Sequence, residues 1–250
     1  MITNSLSGTR IEEVASGIYR INTPYYQDVI PGGFSFNQYL VVDDEPLLFH
    51  AGLRRLFPLI QEAIAAVMPV EKLRYVGISH FEADEAGALN DFLRVAPHAK
   101  PLCSDIGAMV SINDFADRPA KGMADGEVIS LGRHKMKWIS TPHVPHGWDC
   151  GFLFDQTTET LLCGDLFTQG GSNTPATTEQ DILAPSELFR KPLDYFAHAK
   201  DTAGSLERLA ATNPRTLACM HGSAYKGNGG ALIRELSAIL TREQAKSAIG

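Results

Sequence analysis

GISHFEADEAGAL, residues 77–89, closes the apolar run LRYVGIS (residues 73–79) and leads into a helix-like segment. His80, Glu82, Asp84 and Glu85 place one imidazole and three carboxylates within a single short turn. Carboxylates that close repel by kilocalories unless a cation lies among them. Along an extended turn, positions i, i+2 and i+4 point to one side, so His80, Glu82 and Asp84 can face one point. A plainer reading also exists for two of them, since Asp84 and Glu85 suit the first turn of a helix.

The other apolar strands end in similar fashion. WISTP (138–142) leads to His143 and His146, TLLCG (160–164) to Asp165, and TLACM (216–220) to His221. Loops at one edge of a sheet converge on one crevice, so these side chains are candidates for a common site. Gly147, Gly164 and Gly222 adjoin three of them and allow unusual dihedrals there. The set is too rich for one ion, whereas two ions bridged by one carboxylate would use it fully. His50, His98, His134, His143 and His198 read as ordinary histidines.

Around this constellation the chain reads as a globular protein of 250 residues, 44% hydrophobic and 20% charged, expected to form one domain over 1–250. A net charge of -7 and the lack of a basic cluster argue against nucleic-acid binding. No secretory signal or membrane-length apolar segment stands out, and Cys103, Cys150, Cys163 and Cys219 read as scattered buried thiols. A cytoplasmic location is expected.

Strands are expected at GIYRI, FNQYLVV and PLLFH, then at LRYVGIS, KPLCS, EVISL, KMKWIS, GFLFD, TLLCGD and TLACM. Helices are expected over 54–67, 84–95, 105–112, 186–199, 203–211 and 230–247. The Gly/Thr/Pro segment TQGGSNTPATTEQ (168–180) reads as a lid or an interface loop. Hairpins first, then strands alternating with helices, in two similar halves, suggest two sheets face to face with helices outside. An open mixed sheet also fits that order.

H-F-E-A-D-E at 80–85, with FNQYLVV, His146-Gly-Trp-Asp149, CGDLF around Asp165 and MHGS around His221, resembles the metallo-β-lactamase superfamily. Its hydrolases carry H-x-H-x-D-H; glutamate in place of the second histidine resembles the diiron branch, the flavodiiron proteins and shorter oxygen-binding diiron proteins. The resemblance implies an α/β fold, a four-layer αββα sandwich. It also implies two bridged non-heme iron ions: one held by His80, Glu82 and His146, the other by Asp84 and His221, with Asp165 between them. Two departures stand out. Glu85 occupies a position commonly filled by histidine, where it could bind metal, bind through water or only cap the helix. His50 stands where aspartate is frequent and would at most support a ligand.

Two divalent ions carry a formal charge of about +4, and Glu82, Asp84 and Asp165 supply about −3. Hard anionic oxygens favour iron and its oxidised state over a zinc Lewis acid. The family likeness further implies binding of O2 or NO, an external electron donor and a homodimer. No bound flavin is expected, because no flavodoxin-like portion or phosphate loop follows the last helix. A non-catalytic oxygen sensor and a zinc-dependent hydrolase of the same fold are the alternatives. Phe81, Trp148, Phe167 and Tyr25 or Tyr26 are candidates to line a small apolar pocket.

Overall fold

The computed structural model describes residues 1–25, 30–197 and 199–247, with side chains described through 244, so Tyr26 and His198 lie outside the described residues. Among these residues the strands form an eight-stranded and a seven-stranded sheet. The first contains β1 (Ile2–Asn4), β2 (Thr9–Ala15), β3 (Ile18–Tyr25), β4 (Phe34–Val41), β5 (Leu47–Phe49), β6 (Tyr75–Gly77), β7 (Lys100–Ser104) and β8 (Lys121–Met123). They lie side by side in chain order, antiparallel up to β5 and parallel from β5 to β8.

The second sheet contains β9 (Val128–Ser130), β10 (Lys135–Ser140), β11 (Gly151–Asp155), β12 (Thr160–Leu162), β13 (Thr177–Thr178), β14 (Thr216–Ala218) and β15 (Ala224–Lys226). Its spatial order is β13-β15-β14-β12-β11-β10-β9, with β12 parallel to β14.

Strand periodicity explains the layering. In β4, Phe34, Phe36 and Leu40 enter a core shared with Ile60, Ile64, Leu89 and Phe92 of the flanking helices. Tyr39 and Val41 turn the other way and join Trp138, Leu153 and Leu162 of the second sheet. A residue-by-residue alternation lets one strand serve two cores. On the far side, Leu161, Cys163, Leu217 and Cys219 pack under Leu206, Leu209, Ile233 and Leu236. The result is helix, sheet, sheet, helix: the αββα sandwich.

Several elements differ from expectation. The segment expected as one helix over 84–95 is two, Ala83–Ala86 and Leu89–Val95. Gly87 lies between them, where a Cβ would come within 3.0 Å of the Arg54 backbone nitrogen. The helix expected at 186–199 spans Leu183–Leu193; Pro192 and the left-handed Asp194 (φ 49°) end it. The 168–180 segment is pinned down. Arg10 donates to Asn173 and Thr174, while buried Arg20 donates to Thr174 Oγ1 and the Pro175 carbonyl at 2.8 and 2.7 Å. Strands β1, β2, β8, β13 and β15 carry no strong apolar signal and escape the sequence reading.

Candidate metal centre

The candidate side chains meet at the strand ends. His80, Glu82, Asp84 and Glu85 follow β6, His146 lies in the loop after β10, Asp165 follows β12 and His221 follows β14. Gly147 has φ +73° and a Cβ there would stand 3.1 Å from His80 Cβ, so the His146 loop approaches His80 closely only because glycine is present. Asp149, from the same loop, accepts a hydrogen bond from the Phe81 backbone N–H at 3.1 Å and fixes the turn that carries Glu82.

His80 Nε2 stands 2.9 Å from His146 Nε2, 3.7 Å from Glu82 Oε1 and 3.5 Å from Asp165 Oδ2. His146 Nε2 lies 3.1 Å from Glu82 Oε1 and 3.4 Å from Asp165 Oδ2. Donors that share one ion at about 2.0–2.2 Å stand roughly 3–3.5 Å apart, which is the spacing of these four atoms. A second set adjoins the first: His221 Nε2 is 3.6 Å from Asp84 Oδ2 and 3.4 Å from Asp165 Oδ1. Asp165 thus turns one oxygen to each set.

The ring orientations suit cation binding. His221 Nδ1 donates to the Ser35 carbonyl at 2.9 Å, which leaves the Nε2 lone pair aimed into the site. Its ring stacks on Phe34 (centroids 4.4 Å) and meets Phe36 edge-on (5.3 Å). His80 Nδ1 lies 3.0 Å from Ser79 Oγ, so its Nε2 is likewise free.

Asp165 Oδ1, both oxygens of Glu85 and His146 Nδ1 are buried and lack a hydrogen-bond partner. Buried acceptors left bare are costly. Together with the mixed imidazole and carboxylate donors, they fit a pair of cations bridged by Asp165.

The electrostatics point the same way. The His146 and His80 rings hold the Glu82 carboxyl down at about 2. Burial opposes charge on His221, yet Asp165 and Asp84 outweigh it and lift the ring from 6.5 to about 9. His80 rises well above its ordinary value against its burial, chiefly through Glu85. Glu85 moves the opposite way to Glu82: full burial, reinforced by Asp165 and Asp84, raises it well above the carboxylate range despite His80. As a carboxylate it has no donor to accept from, so it needs a proton or a cation. Its ligand atom groups with those of His80 and Glu82 within 4.8 Å.

Other expectations resolve differently. His143 has φ +66° and lines a separate surface cavity with Arg208. His134 is wholly buried and pairs with Asp155 at 2.8 Å. His50 is buried with both ring nitrogens occupied, and burial takes it down to about 3. The cavity above the donor atoms, about 140 Å³, is lined by Phe34, Phe189, Leu193, Tyr195 and Thr168. Of the aromatics singled out from sequence, Phe81 lines a larger cavity of about 580 Å³ that shares Glu82, Trp148 is 59% exposed and Phe167 is buried in the second-sheet core. No local signal marks Phe34, Phe189 or Tyr195, which come together only in the fold. All four cysteines are buried, with Cys163 and Cys219 sulfurs 3.8 Å apart.

A four-layer αββα sandwich with carboxylate-rich donors at its strand ends defines a metallo-β-lactamase-type fold of the diiron branch. The chain belongs to the family described as ODP family beta lactamase, whose profile matches residues 34–222. The rubredoxin-oxygen oxidoreductase of Megalodesulfovibrio gigas is 28% identical over 207 residues, covering 79% of this chain and 50% of that protein. The nitric oxide reductase of Moorella thermoacetica is 30% identical over 145 residues, covering 55% and 35% respectively. The solved flavodiiron core of Flv1 from Synechocystis sp. PCC6803 superposes with a TM-score of 0.80 at 22% identity, covering 95% of this chain and 62% of that one. The chain therefore spans half or less of the length of these two curated relatives. Among the described residues, no helix is long and apolar enough to cross a membrane.

Proposed function

We propose that this chain is a non-heme diiron oxidoreductase that binds O2 or NO and reduces it with electrons from a separate reductase. The observation that carries this reading is the division of Asp165, with Oδ2 3.4 Å from His146 Nε2 and Oδ1 3.4 Å from His221 Nε2. In this reading His80, Glu82 and His146 hold one iron, Asp84 and His221 hold the other, and Asp165 bridges. Glu85 is assigned to the same cluster as an additional carboxylate. Residues 1–250 act as one domain around it.

When bound, the iron pair supplies the electrons that reduce the diatomic ligand. The chain's own residues prepare the place. Thr168 Oγ1 and the Tyr195 hydroxyl both donate to the Asp165 backbone carbonyl, at 2.8 and 3.1 Å, and so fix the bridging residue. Ser35 holds the proton of His221 on Nδ1, away from the donor atoms. Phe34, Phe189 and Leu193 give the small cavity apolar walls that suit a diatomic gas and disfavour bulk water. Three acidic donors, Glu82, Asp84 and Asp165, match hard, oxidisable iron better than a zinc Lewis acid. The printed names of the two curated relatives, one an oxygen oxidoreductase and one a nitric oxide reductase, support the same direction.

The test is metal analysis of protein expressed with ample iron, joined to a visible spectrum and an oxygen-uptake assay with a flavin reductase. Expected are two irons per chain, a charge-transfer band that bleaches on reduction, and O2 or NO consumption. Stoichiometric zinc without iron would overturn the reading. A spectral response to O2 with no turnover under any reductase would reassign the protein to sensing.

A further inference from the structure

We propose that His50 is a positioning residue of this centre, fixing through Ser79 which ring nitrogen of His80 carries the proton and tying that choice to the loop of His221. The proposal rests on reading the donor set as a metal centre.

His50 follows β5 in the first sheet, and its side chain is buried between two loops that belong to different sheets. Its Nε2 is 2.9 Å from Ser79 Oγ, and Ser79 Oγ is 3.0 Å from His80 Nδ1. Its Nδ1 lies against the Met220 sulfur, in the residue before His221. One buried ring thus touches the chain neighbours of two donor histidines, one on each sheet.

The direction of the proton chain follows from the Met220 end. A thioether has no proton to give and accepts only weakly, so an unprotonated Nδ1 facing it would oppose lone pair to lone pair. His50 therefore carries its proton on Nδ1, and its Nε2 becomes an acceptor. Ser79 then donates its hydroxyl proton to His50 and must accept from His80. His80 accordingly holds its proton on Nδ1 and presents the Nε2 lone pair to Glu82, His146 and Asp165. Every hydrogen in the chain is assigned, and each assignment follows from a residue that cannot donate.

Backbone conformation gives an independent sign. His50 has φ +69°, a left-handed value uncommon for a residue with a side chain. Such strain persists where surrounding contacts over-determine it. Here the His50 N–H donates to the Gly77 carbonyl at 2.8 Å, the ring stacks on Phe49 at 4.2 Å between centroids, and both ring nitrogens are engaged. A residue needed only to fill space would have no reason to meet all four conditions.

The experiment uses the full chain freed of metal, with zinc ion as the probe and a chromophoric chelator as competitor. His50→Leu and Met220→Leu are expected to weaken zinc binding at the His80 position by about 10- to 100-fold, the usual effect of losing an outer hydrogen-bond partner. His50→Gln offers Ser79 an amide oxygen and is expected to restore binding near the wild-type value. Histidine-ring proton–nitrogen spectra of zinc-loaded wild type should show both His50 and His80 protonated on Nδ1. A His50 proton on Nε2, wild-type binding by His50→Leu, or equal losses in His50→Leu and His50→Gln would each overturn the proposal. Failure of the metal reading is separately visible: wild type itself would then take up no zinc, while the spectra of metal-free protein would still show whether the proton chain runs as assigned.

Discussion

His221 gives its Nδ1 proton to the carbonyl oxygen of Ser35 at 2.9 Å, so a backbone group of one sheet aims a ring carried by the other. That ring then serves only the donor set of Asp84 and Asp165 Oδ1, 3.6 and 3.4 Å away. His221→Ala is expected to lower the metal content from about two ions per chain to about one, and His146→Ala to do the same at the other position. Asp165→Asn strikes both and should leave less than one. Elemental analysis after metal loading distinguishes the three; equal losses in all of them would show that the sets are not separate.

Glu82 decides the metal in the proposed reading. Its carboxyl is held down at about 2 by His146 and His80, so it is ionised at any physiological pH. Glu82→His removes one negative charge and substitutes a softer nitrogen donor, which shifts preference toward zinc. Protein recovered from cells grown with both metals should show a zinc-to-iron ratio raised several-fold. An unchanged ratio would detach metal choice from this side chain.

The pH dependence of the metal-free protein follows from His221, whose ring is lifted from 6.5 to about 9 against its burial by Asp165 and Asp84. A group with a raised folded value adds stability in full below its unfolded value and loses it as pH climbs through the folded one. The metal-free chain should therefore lose roughly 3 kcal/mol between about pH 6.5 and 9 from this ring. Metal requires the ring deprotonated, so the loaded protein gains over the same window. Thermal unfolding with and without zinc should show a metal-dependent rise in midpoint that widens with pH; a constant rise would mean that these ion pairs do not form.

Asn37 joins the sheets beneath the centre. Its Nδ2 donates to the carbonyls of Cys219 and Gly222, each at 2.8 Å, and its Oδ1 accepts from buried Arg20 and Asn22 at 2.9 and 2.8 Å. Asn37→Leu keeps the volume but strands these groups, at a cost of about 2–5 kcal/mol. Urea denaturation should register the loss, and metal at the His221 position should weaken with it. Loss of stability with metal affinity intact would confine Asn37 to a purely structural role.

How much was legible in the sequence depends on how local the signal is. His80, Glu82 and Asp84 declare themselves because alternate residues of a short turn share a side, and crowded carboxylates need a reason. Asp165 and His221 show through because apolar strands end just before them. The layering follows from strand order, whereas β1 and β15, three residues each, are too short to show periodicity. The break at Gly87 depends on a neighbouring backbone, which no local pattern reveals. The contact between His50 and Met220 spans 170 residues, and nothing near either residue announces it. The walls of the cavity, Phe34, Phe189 and Tyr195, are dispersed in the same way.

The chain-order arrangement of the first sheet has a consequence for assembly. Each strand from β1 to β8 pairs with its immediate predecessor, so this half collects mostly short-range contacts and can form early. It brings His80, Glu82, Asp84 and Glu85 but leaves their negative charge without a counterweight. His146, Asp165 and His221 arrive only when the later half docks. Iron capture is thus the closing event of maturation, and a newly made protein starved of iron would accumulate as a folded vessel waiting to be filled.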